Sequence, residues 1–352
     1  MIRVTSTPPA DWAERIAAAS QSEGFAEAMR LMGYRPLYVW SADYAALALV
    51  RGWRLTARAN LFATGAPWSF LRGTLDALSA RGVPYVKVGD TMWGVAGDGL
   101  PPDGAAPQLS ITPRHTFVLD LARSEADLLR GMTGAERKIR KAEREGVVVR
   151  PVESAADLAA FCQLSHETSD RVRARTAYTD FPPAFFETLH ARMAGTGAAR
   201  FYVAWHETSP LASCVFLTHA DTMLYYLGGS TRNRELTAKQ APAAVFWRAI
   251  RDAKRLGIRY FDLGGCTPTD DVNDSRHGVY AFKKRWGGQL QAFHNIEAIL
   301  SPVAYRLQER VLTPLWDRLH PAYFRLLDAA HGLRHLTRVP TSSPAQPGTQ
   351  EG

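Results

Sequence analysis

The sequence has few cysteines and no long hydrophobic run. Its three cysteines, Cys162, Cys214 and Cys266, lie far apart in a chain of 352 residues and show no CxxC spacing. This pattern excludes a disulfide scaffold and argues against structural zinc. No stretch approaches the roughly 20 apolar residues of a membrane span, and the first residues lack the layout of a secretory signal. We therefore expect a reduced, cytoplasmic protein.

Several motifs that usually carry chemistry are also missing. The chain has no GxxxxGK[ST] phosphate loop, no HExxH, no GxSxG and no strand followed by GxGxxG. The ten histidines show no spacing typical of metal ligands. These absences argue against metal catalysis and against a serine or cysteine nucleophile, and we expect neither a metal nor a bound cofactor.

The composition is that of a basic globular protein. Hydrophobic residues make up 46% of the chain and charged residues 22%, and the formal net charge is +8. The length predicts two domains of ordinary size. The excess positive charge favours an anionic partner such as nucleic acid, a phosphorylated metabolite or an acidic membrane, although a generally basic surface explains it equally well.

Two stretches of the chain resemble each other. ALSARGVPYVKVGD, at 77–90, and DAKRLGIRYFDLGG, at 252–265, both read as a helix end, a glycine and a short strand that closes on glycine. Strands are predicted before each helix, within 46–64 and 199–229. The repeated order of strand, strand, helix and strand indicates an α/β fold in two similar halves, unless the similarity arose by chance.

The domain boundaries follow from this repeat. We predict a first domain over 1–145, a second over 146–300 that carries the active site, C-terminal helices over 301–338 that pack on the body, and a disordered tail over 339–352. The C-terminal helices contain aromatic residues that suit either core packing or a membrane surface; these are Trp316, Tyr323 and Phe324.

A basic helix is predicted between the two halves. It begins at Ser124, a good N-cap, and extends to Glu145 before Gly146. Basic residues recur at helical spacing along roughly one side, with acids interspersed: Arg130, Arg137, Lys141 and Arg144. The pattern fits a solvated, ion-paired helix or a stripe that faces phosphate.

Polar and aromatic residues concentrate between about 222 and 288. The predicted strand IRYFDLGG contains Asp262 and ends in two glycines, and GVYAFKKRWGG, at 278–288, places Lys283 and Lys284 between Phe282 and Trp286. Because successive strand ends in an open α/β sheet converge on one cleft, these residues are expected to share a site.

Here the sequence resembles the Fem (FemABX) peptidyltransferases, which build the interpeptide bridges of peptidoglycan from aminoacyl-tRNA. The motifs are LYYLGGST, a helix with PAAVFWRAI, then YFDLGG, then GVYAFKKRWGG. Upstream, the similarity includes QSEGFAEAMRLMGYRPLYV, GMTGAERKIRKAEREGV and ETSDRVRARTAYTDFPPAFFETL. It covers most of 20–310, although the chain has no room for the long helical arm of some family members.

The resemblance implies tandem acetyltransferase-like (GNAT) domains with mixed central sheets flanked by helices. It implies transfer of an amino acid from aminoacyl-tRNA, as co-substrate, to the side-chain amine of a stem peptide in lipid II or UDP-MurNAc-pentapeptide. The phenylalanine–lysine pair that matters for catalysis falls on Phe282 and Lys283. The tyrosine that contacts the acceptor falls on Tyr226, with Tyr225 as the second choice, and an acceptor-holding Arg–Tyr pair falls on Arg175 and Tyr178.

The chemistry of such a transfer assigns roles to these residues. The ester is already activated, so the enzyme mainly holds the reactants together and stabilises the oxyanion. Lys283 suits the oxyanion or the tRNA phosphates, and Phe282 or Trp286 could stack on the terminal adenine. Asp262 is the best-placed candidate base, but a buried, hydrogen-bonded aspartate fits its position as well.

Two rival functions stay open at this point. One is an N-acyltransferase of the same fold that uses acyl-CoA or aminoacyl-tRNA on another small amine, and the other is a non-catalytic binding protein. We expect a monomer, with peripheral contact with the inner face of the membrane left open. The amino acid transferred cannot be read from the sequence.

Overall fold

A computed structural model describes residues 1–89, 92, 94–102, 104, 108–173 and 181–312. The chain divides into a compact unit, Met1–Ser301, and a second unit that begins at Pro302. The first half of the compact unit contains these elements: β1 (Arg3–Thr5), α1 (Trp12–Arg15), α2 (Glu23–Arg30), β2 (Arg35–Trp40), β3 (Ala45–Arg51), β4 (Arg58–Phe62), α3 (Trp68–Ser79), β5 (Tyr85–Val88) and β6 (Leu109–Asp120).

Two helices follow β6 and lead into the second half. The elements in order are α4 (Glu125–Gly131), α5 (Ala135–Arg144), β7 (Val148–Pro151), α6 (Ala155–Arg173), α7 (Pro183–Met193), β8 (Ala199–His206), β9 (Ser209–His219), β10 (Thr222–Ser230), α8 (Arg234–Thr237), α9 (Ala241–Arg255), β11 (Tyr260–Cys266), α10 (His277–Lys284) and β12 (Gln289–Ile299). The second unit has α11 (Pro302–Leu307) and a π-helical turn, Gln308–Leu312. No described helix is long and apolar enough to cross a bilayer.

The described strands form one mixed sheet in the order β1-β2-β3-β4-β5-β12-β6-β11-β10-β9-β8-β7. Strands β1 to β5 of the first half lie on one side of the sheet, and β7 to β11 of the second half lie on the other. The two central strands are exchanged between the halves: β12 lies beside the strands of the first half and β6 beside those of the second. β12, the last strand of the second half, pairs with β5 of the first half, and β6 of the first half pairs with β11 of the second. β6 and β12 also pair with each other over most of their length. Each half is therefore completed by a strand from the other.

The backbone confirms the internal repeat. Each half has one parallel pair, β4 with β5 and β10 with β11, with helical segments in the crossover. The glycines after α3 and α9, Gly82 and Gly257, both have positive φ, at 77° and 75°. Gly89 and Gly264 also match, at 81° and 74°. Left-handed backbone favours glycine because it lacks Cβ, so the same residue type recurs where the same turn recurs.

Buried side chains form hydrophobic clusters on both faces of the sheet. Neighbouring residues of β8 alternate between two of them: Tyr202 and Ala204 pack in a cluster with α5 and α9, while Phe201 and Val203 pack in another with α2, α6 and α7. This is the alternation expected of a strand buried on both faces. A third cluster buries α3 against the first half of the sheet. The predicted fold class, α/β with two GNAT-like halves and helices on both faces, is confirmed.

The structure corrects the predicted helix over 124–145. Ser124 is the N-cap, and its hydroxyl accepts a hydrogen bond from the Asp127 N–H. The helix stops at Gly131, however, and α5 begins at Ala135 after Gly134, whose φ is 84°. A left-handed residue cannot continue a right-handed helix, so the stretch forms two helices joined by a sharp turn.

Candidate active site

The candidate site lies where the parallel pairing of two strands of the second half ends. β10 and β11 pair only from Thr222 to Leu224 on one strand and from Tyr260 to Asp262 on the other. Beyond these pairs both strands are irregular: β10 shifts register against β9 after Tyr225, and β11 shifts against β6 after Asp262. β-bulges bend a strand and re-aim its side chains. The regular pairing therefore ends at Leu224 and Asp262, while the Tyr225 carbonyl oxygen stays close to β11, 3.0 Å from where a Cβ on Gly264 would stand.

Lys283 occupies this region although it comes from a different element. Its side chain projects from the last turn of α10 and is only 4% exposed. Its Nζ donates a hydrogen bond of 2.8 Å to the Gly265 carbonyl oxygen of β11 and lies 5.8 Å from the ring centre of Tyr225 on β10. One lysine thus contacts both strands just beyond the end of their pairing.

The environment of Lys283 lowers its pKa. Burial is the main cause and lowers the pKa of Lys283 from its ordinary 10.5 to about 8, while Cys266 and Asp262 act in the opposite direction. At pH 7 the protonated form still exceeds the neutral form by about ten to one. The site therefore holds a poorly solvated cation with one hydrogen-bond partner among the described residues, and such a cation interacts strongly with any negative charge that enters.

Asp262 holds the bulge of β11. Its Oδ1 accepts a hydrogen bond of 2.7 Å from the Gly264 N–H and also contacts the hydroxyl of Thr116. The same hydroxyl lies 2.9 Å from the Gly264 carbonyl oxygen. Burial raises the pKa of Asp262, partly offset by these hydrogen bonds and by Lys283. Asp262 is therefore placed to fix the backbone beside the lysine, and the alternative of a buried structural aspartate fits its surroundings better than the role of base.

Aromatic rings form one wall of the site. Phe282 is half-buried and packs edge to face on Phe246, with ring centres 5.2 Å apart. Trp286 is 2% exposed and stacks on the same Phe246 ring at 5.3 Å. The predicted stacking of Trp286 on an adenine does not fit this placement, because its ring is already covered by protein. Phe282 keeps an exposed part and stays a candidate for that contact.

The two adjacent tyrosines point to opposite faces of the sheet. Tyr225 packs with Phe216 and Phe246 on the face that carries Lys283. Tyr226 is buried on the other face, with the rings of Phe25 and Phe181 at 5.8 and 6.4 Å. The structure therefore brings the second choice, Tyr225, to the lysine and does not bring Tyr226 there.

The remaining residues considered from the sequence lie outside the described part of the chain, on the exposed surface or beside Lys283. Arg175 and Tyr178 lie outside the described residues. Lys284 is exposed and lies 3.5 Å from Asp270, as expected of a solvated neighbour. Cys266 lies beside the lysine, and burial raises the pKa of its thiol. Among the described residues, no group of side chains is arranged to hold a metal ion.

The first half supplies residues that sequence reasoning did not find. Thr116 lies on β6, and the exchange of β6 places its hydroxyl against Asp262 and Gly264. Met92 follows β5, and its Cε lies 2.4 Å from where a Cβ on Gly264 would stand. Nothing in the local pattern around either residue indicates such a contact, since each depends on the pairing of distant strands.

The corresponding strands of the first half, β4 and β5, are regularly paired. β4 and β5 pair up to Leu61 and Val88, and both strands stop within one residue of that pair. The next amide, that of Gly89, donates a hydrogen bond of 2.9 Å to the Leu61 carbonyl oxygen. Among the described residues, β4 and β5 thus pair to the end of β5 without a register shift.

A cluster of cations adjoins the site. The turn before α5 contacts the residue after α10, because the Thr133 N–H donates a hydrogen bond of 2.9 Å to the Arg285 carbonyl oxygen. Burial lowers the pKa of Lys138, and the charges of Arg285 and Arg137 lower it further. No described carboxylate pairs with any of these three side chains. The cluster retains an unbalanced positive charge two residues along the chain from Lys283.

Comparison with known proteins identifies the fold to which this arrangement belongs. Residues 130–284 match the family model described as an acetyltransferase (GNAT) domain. The structure called FemX superposes with a TM-score of 0.62 at 14% identity, covering 83% of this chain and 94% of that one. No curated protein sequence matches the chain significantly.

Two further solved structures share the fold. The C-terminal domain of a putative lysylphosphatidylglycerol synthetase from Agrobacterium fabrum gives a TM-score of 0.55 at 13% identity, covering 83% of this chain and 94% of that one. L-PGS from Bacillus licheniformis gives 0.52 at 14% identity, covering 86% and 99%. The protein therefore has a Fem-like, GNAT-related fold, and the domain match bears out the prediction of an acyltransferase.

Proposed function

We propose that the protein transfers an aminoacyl group from aminoacyl-tRNA to the side-chain amine of a peptidoglycan stem peptide. The observation that carries this proposal is the buried Lys283, hydrogen-bonded to β11 just beyond the end of its pairing with β10. A cation in a water-poor cleft suits a reaction in which an ester carbonyl oxygen becomes negatively charged. The Fem-like fold supports the same class of reaction.

The reaction needs few groups from the protein. The amine nitrogen attacks the ester carbonyl carbon, and the carbon–oxygen bond to the terminal ribose breaks as the tetrahedral intermediate collapses. The amine loses a proton and the ribose oxygen gains one. Lys283 would donate a hydrogen bond to the oxyanion, exchanging its contact with the Gly265 carbonyl for a contact with the intermediate.

The donor would lie along the cation cluster. Positive charge without a described carboxylate partner lies close to α10, on Lys138, Arg137 and Arg285. Such charge suits the phosphates at the 3′ end of a tRNA. The half-buried ring of Phe282 offers a surface on which the terminal adenine can stack. These contacts would hold the ester near Lys283 without engaging the side chain of the amino acid that is transferred.

The acceptor would be the stem peptide of lipid II or of UDP-MurNAc-pentapeptide. Arg175 and Tyr178 are proposed to hold its phosphate and sugar, on the strength of the resemblance alone. Tyr225 is proposed to face the acceptor because it shares the cleft with Lys283. The alternative is transfer from acyl-CoA to another small amine, which the match to an acetyltransferase (GNAT) domain favours.

The test separates donor and acceptor. The full chain is incubated with charged total tRNA and a muropeptide precursor, and the mass of the precursor is measured. We expect an increase by one or more amino acid residues that is lost when RNase digests the tRNA beforehand. Activity that survives digestion would contradict the tRNA donor, and parallel reactions with acyl-CoA would then identify the alternative.

A further inference from the structure

An exposed tip on the first half combines apolar and basic side chains. The segment Arg51–Arg58 reads RGWRLTAR and contains no acidic residue. Trp53 is 66% exposed and Leu55 is 55% exposed. Large apolar side chains seldom stand so far out of a protein surface side by side, and when they do they usually mark a contact. We call residues 52–57 the Trp53 tip.

The backbone of the Trp53 tip is fixed. The Trp53 N–H donates to the hydroxyl of Thr56, and that hydroxyl donates to the Trp53 carbonyl oxygen. Gly52 has a φ of 85°, and a Cβ there would stand 2.4 Å from the Thr56 carbonyl oxygen. Arg54 accepts a left-handed φ of 48° although it is not glycine. The strained and bonded turn holds Trp53 and Leu55 outward, so a partner would not have to order them.

Guanidinium groups surround the tip. The Arg54 guanidinium lies 4.2 Å from the ring centre of Trp53. Arg35 and Arg81 line the same cavity of about 420 Å³ beside the tip, whose floor is formed by aliphatic side chains: Leu37, Val50, Ala57 and Val83. Their hydrogen bonds go to backbone carbonyl oxygens, and no described carboxylate pairs with these three arginines. The surface is therefore apolar at the Trp53 tip, and the positive charges around the tip have no described carboxylate partner.

We propose that the Trp53 tip docks the protein on the surface of an anionic phospholipid bilayer. Tryptophan and leucine partition into the boundary between headgroups and acyl chains, and arginine beside them binds lipid phosphates. RNA fits the tip less well, because Arg54 already covers a face of the indole and Leu55 offers a nucleic acid nothing to bind. The surface lies in the first half, away from Lys283, and the proposal does not depend on the transfer reaction.

The test measures partition of the full chain into vesicles. Phosphatidylcholine vesicles are compared with an equal mixture of phosphatidylcholine and phosphatidylglycerol by co-sedimentation. We expect binding to the mixed vesicles that weakens as salt is raised. The double variant W53S/L55S should lose at least about tenfold in partition, and Arg54→Gln alone about fivefold on the anionic vesicles only.

The matched control replaces two exposed apolar residues elsewhere. Val148→Ser with Leu256→Ser removes similar exposed apolar surface from the second half and should leave partition unchanged. Because all the substituted side chains are exposed, thermal unfolding should be unaltered. Equal partition of W53S/L55S and the parent would overturn the proposal. The proposal would also be overturned if W53S/L55S bound vesicles as well as the parent does but bound tRNA more weakly, since that result would assign the surface to RNA.

Discussion

At the scale of single residues, Lys283 combines a cost in stability with the role expected of it in the reaction.

 Its ammonium is buried, and burial lowers its pKa to about 8. In the folded chain the lysine therefore holds a charge that water would solvate better, and the Gly265 carbonyl oxygen, Cys266 and Asp262 offset only part of this cost. Residues in active sites often carry such a cost because the reaction needs the charge where it is.

Replacing this lysine should raise the stability of the protein and lower its transfer activity. Lys283→Met keeps the length of the side chain and removes the buried charge, so the free energy of unfolding at pH 7 should rise by about 1–3 kcal/mol. Transfer should fall at least about a hundredfold, because the oxyanion loses its cation. Lys284→Met, on an exposed neighbour, should change neither quantity appreciably. Chemical denaturation and the mass assay measure the two effects, and a destabilised Lys283→Met would mean that the lysine belongs to the scaffold.

The gain in stability should depend on pH. Between about pH 8 and the ordinary lysine value of 10.5, the unfolded parent binds more protons than the folded parent, since the pKa of Lys283 is lower in the folded state. The stability contribution of this group therefore rises with pH across that window. The advantage of Lys283→Met over the parent should be largest below pH 8 and should shrink toward pH 10.5. Denaturation curves at several pH values test this, and an advantage that grows with pH would contradict the assignment.

The two tyrosines provide a second test at the residue scale. Tyr225 faces the lysine and Tyr226 faces the opposite cluster. Tyr225→Phe should lower kcat/KM for the acceptor about tenfold or more, through loss of the hydroxyl that is proposed to contact the acceptor. Tyr226→Phe should stay within about twofold of the parent. The reverse ranking, measured with the precursor as the varied substrate, would restore the choice made from the sequence resemblance.

At the scale of elements, the site depends on the bulge in β11. The bulge is stabilised from β6 by Thr116, whose hydroxyl contacts Asp262 and Gly264. Thr116→Val removes the hydroxyl and keeps the shape, so it should cost about 1–2 kcal/mol of stability. It should also reduce transfer, because Lys283 is positioned by the next carbonyl along the same bulge.

The control for this variant lies on the same strand. Thr112 is also part of β6, where it pairs with Asn295 of β12 and not with β11. Thr112→Val should therefore leave transfer near the level of the parent. Equal losses of transfer in the two variants would show that the effect comes from β6 in general and not from the bulge.

The elements themselves were largely predictable from the sequence, and their junctions were not. The helix that ends before Gly82 and the strands around it follow from the sequence pattern and from glycine at the turns, and they appear as α3, β4 and β5. The break at Gly134 was missed because basic helix-forming residues continue on its far side. The two tyrosines were named but ranked in the other order, since an irregularity after Tyr225 decides how β10 continues.

At the scale of the whole molecule, the exchange of β6 and β12 makes the halves depend on each other. β5 lies at the edge of the first half unless β12 covers it, and β11 needs β6 in the same way. An uncovered strand exposes unpaired backbone groups and apolar surface. The sequence showed the repeat but not this exchange, because local spacing contains no information on which distant strands pair. The domain boundary predicted near residue 145 stays a prediction.

The exchange predicts how the compact unit unfolds. Fragments 1–145 and 146–301, produced separately, should each be unfolded or aggregated, whereas their co-expression should yield a soluble complex that has transfer activity. The intact chain should unfold in one main calorimetric transition, since the central strands belong to both halves. Fragments that fold and remain monomeric on their own would contradict the mutual dependence of the halves.

The most direct test of the central claim compares Lys283→Met with Lys284→Met in the mass assay. Each variant is incubated with charged total tRNA and the muropeptide precursor, after circular dichroism has shown that it is folded. We predict that Lys284→Met adds amino acid residues to the precursor at the rate of the parent and that Lys283→Met, although at least as stable, adds almost none. Transfer at the parent's rate by a folded Lys283→Met would contradict the claim that this buried cation carries the reaction.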